Sequence, residues 1–229
     1  MEKIYLDHAA TSPMHPDVIR IMIDYMENDF GNPSSIHAFG RKSRRLVDEA
    51  RTTAARSLQA DFHEIVFTSG GTEANNLALI GVALANKERG RHIITSQIEH
   101  HAVLKTCEFL EKQGFEITYL PVDKSGIVSV EELKNSLRDD TVLVSIMFAN
   151  NEIGTIQPIA EIGKVLADHP AYFHTDAVQA FGVLPIDVQH LGVDLLSVSA
   201  HKFNGPKGTG FLYVKDGVRI LPILYGGEQ

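Results

Sequence analysis

Several short stretches of this sequence place reactive side chains just where a strand-like run gives way to a turn. In "SAHKFNGPKGTG" (199–210), Ser199, Ala200, His201 and Lys202 follow the apolar run "DLLSVS" and lead into a glycine-rich turn. A lysine there is either a solvated charge or an amine aimed into a cleft, able to bond covalently to a carbonyl group. The second role needs an amine that spends time neutral, which partial burial favours. In "HTDAVQ" (174–179), Asp176 ends another strand-like run and Gln179 follows three residues on. Such an aspartate caps the next helix or, buried, holds a cationic ring nitrogen. In "TSGGTEANN" (68–76), Gly70 and Gly71 form a tight turn before a helix expected to begin near Thr72 and Glu73. Free backbone N–H groups and the helix dipole make such a start an anion site. An ordinary cap at Ser69 or Thr72 would leave the same pattern.

Two further stretches carry polar side chains at strand ends. Asn150 and Asn151 in "NNEIG" (150–154) suit a loop with unusual backbone angles, or an amide offered to a ligand hydroxyl or carboxylate. His100 and His101 in "EHHAV" (99–103) are adjacent and point apart, as at a solvated helix start. No HxxxH pair occurs and the single cysteine stands in no ligand motif, so no metal site is expected. The phosphate-loop pattern GxxxxGK[ST] is absent, and no GxGxxG follows the first strand. An anion site, an acid and a lysine on one sheet edge are the parts that pyridoxal phosphate chemistry requires. The lysine forms the Schiff base, the acid keeps the pyridine nitrogen protonated, and the helix start takes the phosphate.

The elements that must position these groups are legible as alternating patterns. Strand-like runs lie at 64–68, 92–96, 116–122, 142–149, 171–175, 194–199 and 210–215. Between most of them lie helical stretches such as "EANNLALIGVALA" and "IAEIGKVLAD". Ahead of them, "PDVIRIMIDYMEN" has Val18, Ile21, Met22 and Tyr25 at helical spacing, "GNPSS" stops it, and a second helix is expected over Arg44–Leu58. The pattern predicts an α/β fold: a mostly parallel mixed sheet of about seven strands with helices on both faces. Ligands of such sheets bind beyond the carboxyl ends of the strands, where the residues above would lie.

Composition narrows the class. Of 229 residues, 44% are hydrophobic, enough for a sizeable core, and the net charge of −8 argues against a nucleic-acid or anionic-membrane surface. No signal-peptide core or bilayer-length apolar run is visible, and one cysteine forms no internal disulfide, so a cytoplasmic location is expected. Val103, Cys107 and Leu110 fall on one helical face, which makes Cys107 a packing residue rather than a nucleophile.

Together with "YLDHAAT" (5–11), "GNPSSIH" (31–37) and "SAHKFNGPKG" (199–208), the motifs quoted above run in the order found in cysteine desulfurases. The chain resembles that family, in the class-V branch of fold-type I pyridoxal phosphate enzymes, over essentially its whole length. The resemblance implies that Lys202 holds the cofactor and is catalytic, that Asp176 pairs with the pyridine nitrogen, and that Gln179 bonds the ring's phenolic oxygen. It implies that His100 stacks on the ring and relays protons. Gly71, Thr72, Ser199 and His201 would bind the phosphate, with Ala200 beside them, and Asn151 would lie near the ring oxygen and the substrate carboxylate. The implied reaction converts L-cysteine to alanine and leaves a persulfide on an enzyme cysteine. That sulfur passes to an acceptor protein, a scaffold for iron–sulfur clusters or a tRNA-thiolation enzyme, and the enzyme is a homodimer. Residues 1–15 would be an arm of the small domain and 16–229 the cofactor-binding large domain.

The sequence ends at "LYGGEQ", where the family continues. The mobile cysteine loop, the substrate-carboxylate arginine and most of the small domain are therefore expected to be missing, and sulfur transfer by these residues alone is not expected. A selenocysteine lyase or another class-V aminotransferase would share the binding residues. A non-catalytic fragment serving dimerisation or partner binding would show neither cofactor nor turnover.

Overall fold

The computed structural model describes residues 3–226. Seven strands occur among them: β1 (Ile65–Thr68), β2 (His92–Ser96), β3 (Glu116–Leu120), β4 (Thr141–Ser145), β5 (Tyr172–Asp176), β6 (Leu195–Ser199) and β7 (Gly210–Val214). They build one sheet in the order β1-β7-β6-β5-β4-β2-β3. β7 is antiparallel to both β6 and β1, and the other pairings are parallel. The mostly parallel mixed sheet expected from the strand runs is what forms.

Helices cover both faces, because alternate residues of each buried strand need an apolar partner layer. On one face α3 (Gly71–Asn86) and α4 (His101–Lys112) pack Ala78, Leu79, Val82, Val103 and Leu110 onto Ile93, Leu143, Leu195 and Leu212 of the strands. On the other, α2 (Ala38–Leu58), α5 (Val130–Ser136), α6 (Ile159–Leu166) and α7 (Val188–Leu191) pack Leu58, Leu133, Ile162 and Val188 onto Ile94, Val144, Phe173 and Leu196. α1 (Pro16–Asn28) buries none of its residues and shows Ile19, Ile23 and Met26 to the surface.

Most strand ends fall within a residue of the expected ones, and three larger departures have a visible cause. α2 begins at Ala38 rather than Arg44, since the His37 ring accepts the Gly40 N–H at 3.3 Å and caps the helix early. A Cβ on Gly40 would come within 2.7 Å of the Asn32 carbonyl, so this glycine packs the turn against the helix instead of breaking it. β3 ends at Leu120, just before Pro121, which has no N–H to extend the ladder. β4 ends at Ser145 although the apolar run continues to Ala149, because the Met147 N–H donates to the Glu99 side chain instead of a neighbouring strand.

Candidate active site

The carboxyl ends of β1, β2, β4, β5 and β6 surround a cavity of about 910 Å³. Every site residue expected from the sequence lines it except Ala200. Ala200 is 8% exposed and serves the turn: its N–H donates to the Thr209 carbonyl and its own carbonyl accepts the Phe203 and Gly205 N–H groups.

At one end of the cavity the backbone leaves β1 and enters α3. The N-cap is Gly70 at φ +149°, where an L side chain would be strained, and no side chain caps the helix. Ser69 and Thr72 are therefore not the cap; the Ser69 hydroxyl donates to the Glu73 carboxylate at 2.5 Å. A Cβ on Gly71 would come within 2.7 Å of Val178 Cγ2 and 3.5 Å of Ser199 Cβ, so the helix start approaches the β5 and β6 ends as closely as backbone can. Gly210, paired with both Thr68 and Ser199, tolerates no side chain either, since its Cβ would lie 2.7 Å from Gly70 Cα. The result is an uncapped N-terminus of a 16-residue helix facing Ser199, His201 and Lys207, an arrangement that takes an anion.

Asp176 ends β5 with only 6% exposure. No helix follows it, so it is not a helix cap; Oδ1 accepts the Val178 N–H at 3.0 Å and Oδ2 accepts the Asn75 amide at 2.7 Å. Burial pushes its carboxyl above the usual range, against these two donors and the nearby His100 and Lys202. A buried acid so placed favours a cationic partner in the cavity, as a protonated ring nitrogen would be. On the same face of β5, His174 bonds Ser145 at 2.8 Å and Ser197 at 2.9 Å, and burial drives it down to about 3. It stays neutral at physiological pH and does not compete for the Asp176 charge.

Lys202 points across the cavity mouth to residues of the N-terminal arm. Its ammonium donates to the Ala9 carbonyl and, at 3.0 Å, to the Ala10 carbonyl. Burial lowers its pKa, opposed by the charges of Asp176, Asp7 and Glu152. Gln179 donates to the same Ala9 carbonyl at 3.1 Å. The arm is tied down by Ser12, which bonds the His201 carbonyl at 2.8 Å, and by Thr11, whose hydroxyl lies 3.1 Å from His201 Nδ1. Burial, Lys202 and Lys207 keep His201 below the ordinary histidine range.

His100 caps α4, its Nδ1 accepting the Ala102 N–H at 3.0 Å. That acceptor role leaves the ring proton on Nε2. Of the adjacent histidines only His100 lines the cavity. The asparagines divide their work without unusual backbone angles. Asn150 Oδ1 accepts the Glu152 and Ile153 N–H groups, while Asn151 lines the cavity and donates to Glu152 at 2.8 Å. Asn75, Val178 and Glu99 were missed by sequence reasoning. Asn75 sits inside an apolar helix pattern, and only its partner 101 positions away gives it meaning. Cys107 is fully buried between α3 and α4, and burial pushes its thiol up to about 12.

The family model described as aminotransferase class-V matches residues 4–229. The chain belongs to the class-V aminotransferase family. Within it, the chain is 64% identical over 229 residues to the putative cysteine desulfurase IscS 1 of Bacillus subtilis (strain 168), covering all of this chain and 60% of that protein. It is 59% identical to the cysteine desulfurase IscS of Methanosarcina thermophila, covering 99% of this chain and 56% of that one. Among solved structures, that titled SspA in complex with cysteine superposes with a TM-score of 0.95 at 44% identity, covering 98% of this chain and 65% of the other. A NifS-like protein gives 0.96 at 42% identity, covering 99% and 62%. This class-V chain thus spans about 60% of the length of the relatives it matches.

Proposed function

We propose that this chain is the cofactor-binding part of a pyridoxal phosphate-dependent cysteine desulfurase, acting on L-cysteine. The observation that carries the reading is the convergence of the Asp176 carboxylate, the Lys202 amine and the uncapped start of α3 on one cavity. The residues fit the cofactor: an anion end, a buried acid that favours a cationic ring nitrogen, and an amine whose burial moves it toward the neutral, reactive form. When bound, pyridoxal phosphate supplies an electron sink for the carbon that bears the substrate's amino group.

The chain's own residues divide the remaining tasks. Gly71, Thr72, Ser199 and His201 would hold the phosphate; Asp176, oriented by Asn75, would hold the ring nitrogen; Gln179 and Asn151 would serve the ring oxygen. His100, which lines the cavity and keeps its proton on Nε2, would stack on the ring and move a proton between substrate and product. Lys202 anchors the cofactor and returns a proton to the product. In the overall reaction the substrate C–S bond breaks, its carbon takes a proton to give alanine, and the sulfur joins a thiolate as a persulfide. Cys107 is not that thiolate, being 0% exposed and protonated to about pH 12. The accepting cysteine belongs to another part of the whole protein, with residues 1–15 contributing an arm and 16–229 the cofactor domain.

We extend the reading to a cytoplasmic homodimer that hands sulfur to an acceptor protein for iron–sulfur cluster assembly or tRNA thiolation. The exposed Met26, Phe30 and Ile36 are apolar surface suited to association. No helix among the described residues is long and apolar enough to cross a membrane.

The test is mass spectrometry after treatment with pyridoxal phosphate and borohydride. A pyridoxyl adduct confined to Lys202 is expected. Scattered labelling of surface lysines, in this chain and in one extended beyond Gln229, would sink the cofactor assignment. The extended protein should make alanine from L-cysteine; a keto acid product would identify a transaminase, and a persulfide on Cys107 would overturn the role given to that residue.

A further inference from the structure

Glu99 is a buried acid that the proposed chemistry does not use. It lies 5% exposed in the turn between β2 and α4, directly before His100. Its Oε1 receives two donors, the Ser96 hydroxyl at 2.6 Å and the Met147 N–H at 2.9 Å. Its Oε2 is buried and has no hydrogen-bond partner. No ion pair among the described residues involves it. The titratable groups facing it are Asp176 from β5 and Cys107 from α4, one acidic and the other an uncharged thiol.

An anion with one oxygen wholly unpaired, near a second buried carboxyl, is far costlier than a neutral acid in the same place. The donors are also distributed asymmetrically: both sit on one oxygen, which leaves the other to carry the proton. Asp176 differs, with one donor on each oxygen. Next to the Glu99 bond, Asn150 Nδ2 donates to the Ile98 carbonyl at 2.9 Å, so two bonds staple the turn before His100 to the segment after β4.

We propose that Glu99 is a positioning residue held as a neutral carboxylic acid, riveting the His100 turn to Met147 and leaving Asp176 as the buried acid that ionises under the cofactor. Its effect on cofactor and His100 rests on the proposed function above; its protonation state does not. Burial carries the carboxyl up to about 8, which agrees with a neutral acid at pH 7.

Four measurements decide it, two of them without cofactor. In the infrared difference between wild type and E99Q at neutral pH, the carbonyl band of a protonated carboxyl is expected; a difference confined to carboxylate bands would overturn the proposal. In urea unfolding, the folded chain keeps a proton that an unfolded glutamate has released above about pH 4.3. That contribution to stability is full below the unfolded value and is lost as pH rises through the folded one. Asp176, whose carboxyl burial also raises, contributes a fall of the same sign in both proteins, so the fall should be larger in wild type than in E99Q; equal pH profiles would count against it. Finally, glutamine reproduces the neutral acid's acceptor, so E99Q should bind pyridoxal phosphate within about threefold of wild type, whereas E99A, which drops both bonds on Oε1, should bind about tenfold more weakly. The visible circular dichroism of the bound cofactor should change in E99A only, as the His100 ring shifts. Equal losses in E99Q and E99A would show that a charged Glu99 is needed and refute the proposal. Failure of wild type to bind, both as this chain and when extended beyond Gln229, would refute the cofactor reading, while the infrared and unfolding results would still settle Glu99.

Discussion

The Asn75 amide donates to Asp176 Oδ2 at 2.7 Å, joining two buried residues 101 positions apart in the chain. It ties α3 just past its first turn, where an anion would sit, to the acid that would hold a ring nitrogen. One side-chain bond thereby links the two ends of the candidate cavity.

Removing that bond has two readable effects. In N75A the Asp176 oxygen loses its donor while staying buried, which costs about 1–3 kcal/mol of stability in urea unfolding. Pyridoxal phosphate affinity should fall by about tenfold, because the acid is no longer held at a fixed angle. An N75A variant with unchanged affinity would show that Val178 alone orients the acid.

The contact between Gly71 and Val178 is steric. A Cβ on Gly71 would come within 2.7 Å of Val178 Cγ2. G71A should therefore destabilise the chain by about 1–3 kcal/mol, through overpacking at the helix start. V178A removes the obstructing methyl groups, so the double variant should recover most of the loss in a double-mutant cycle. Additive losses in the cycle would place the strain elsewhere.

Lys202 should titrate below an ordinary lysine, since burial outweighs the attraction of Asp176, Asp7 and Glu152. Its folded value is depressed, so the unfolded chain holds more protons between the two values. Stability attributable to Lys202 therefore rises with pH from its folded value to about 10.4, and K202M should lack that rise. Competitive acylation of the cofactor-free chain reads the same property directly, with Lys202 reacting at lower pH than the surface lysines. Since Asp176 raises the Lys202 value, D176N should move its reaction midpoint lower still.

Much of this site was legible because it lies at strand ends. Strand runs with buried faces are continuous in apolar residues, and each polar residue that follows one stands out. Asp176, Lys202, Gly71 and Ser199 were visible for that reason, and each strand was located to within a few residues except at the end of β4. That end was hidden because its cause, Glu99 accepting the Met147 N–H, is a side-chain contact spanning 48 positions. The early start of α2 was hidden likewise: a histidine cap beside a glycine reads as a loop until the turn at Asn32 is seen packed against it.

The sequence by itself determined the alternation of strands and helices, the sheet class and the identity of the groups that could react, because local hydrophobic period and turn chemistry are written residue by residue. It also determined that Cys107 packs rather than reacts, since helical spacing alone puts it on the apolar face. Only the tertiary structure decided which polar groups share a low-dielectric neighbourhood. Asn75 meeting Asp176, the arm carbonyls of Ala9 and Ala10 meeting Lys202, and Glu99 left with one unpaired oxygen are facts of long-range packing. Protonation depends on burial and on partners distant in the chain, so these properties are fixed only once the sheet has assembled.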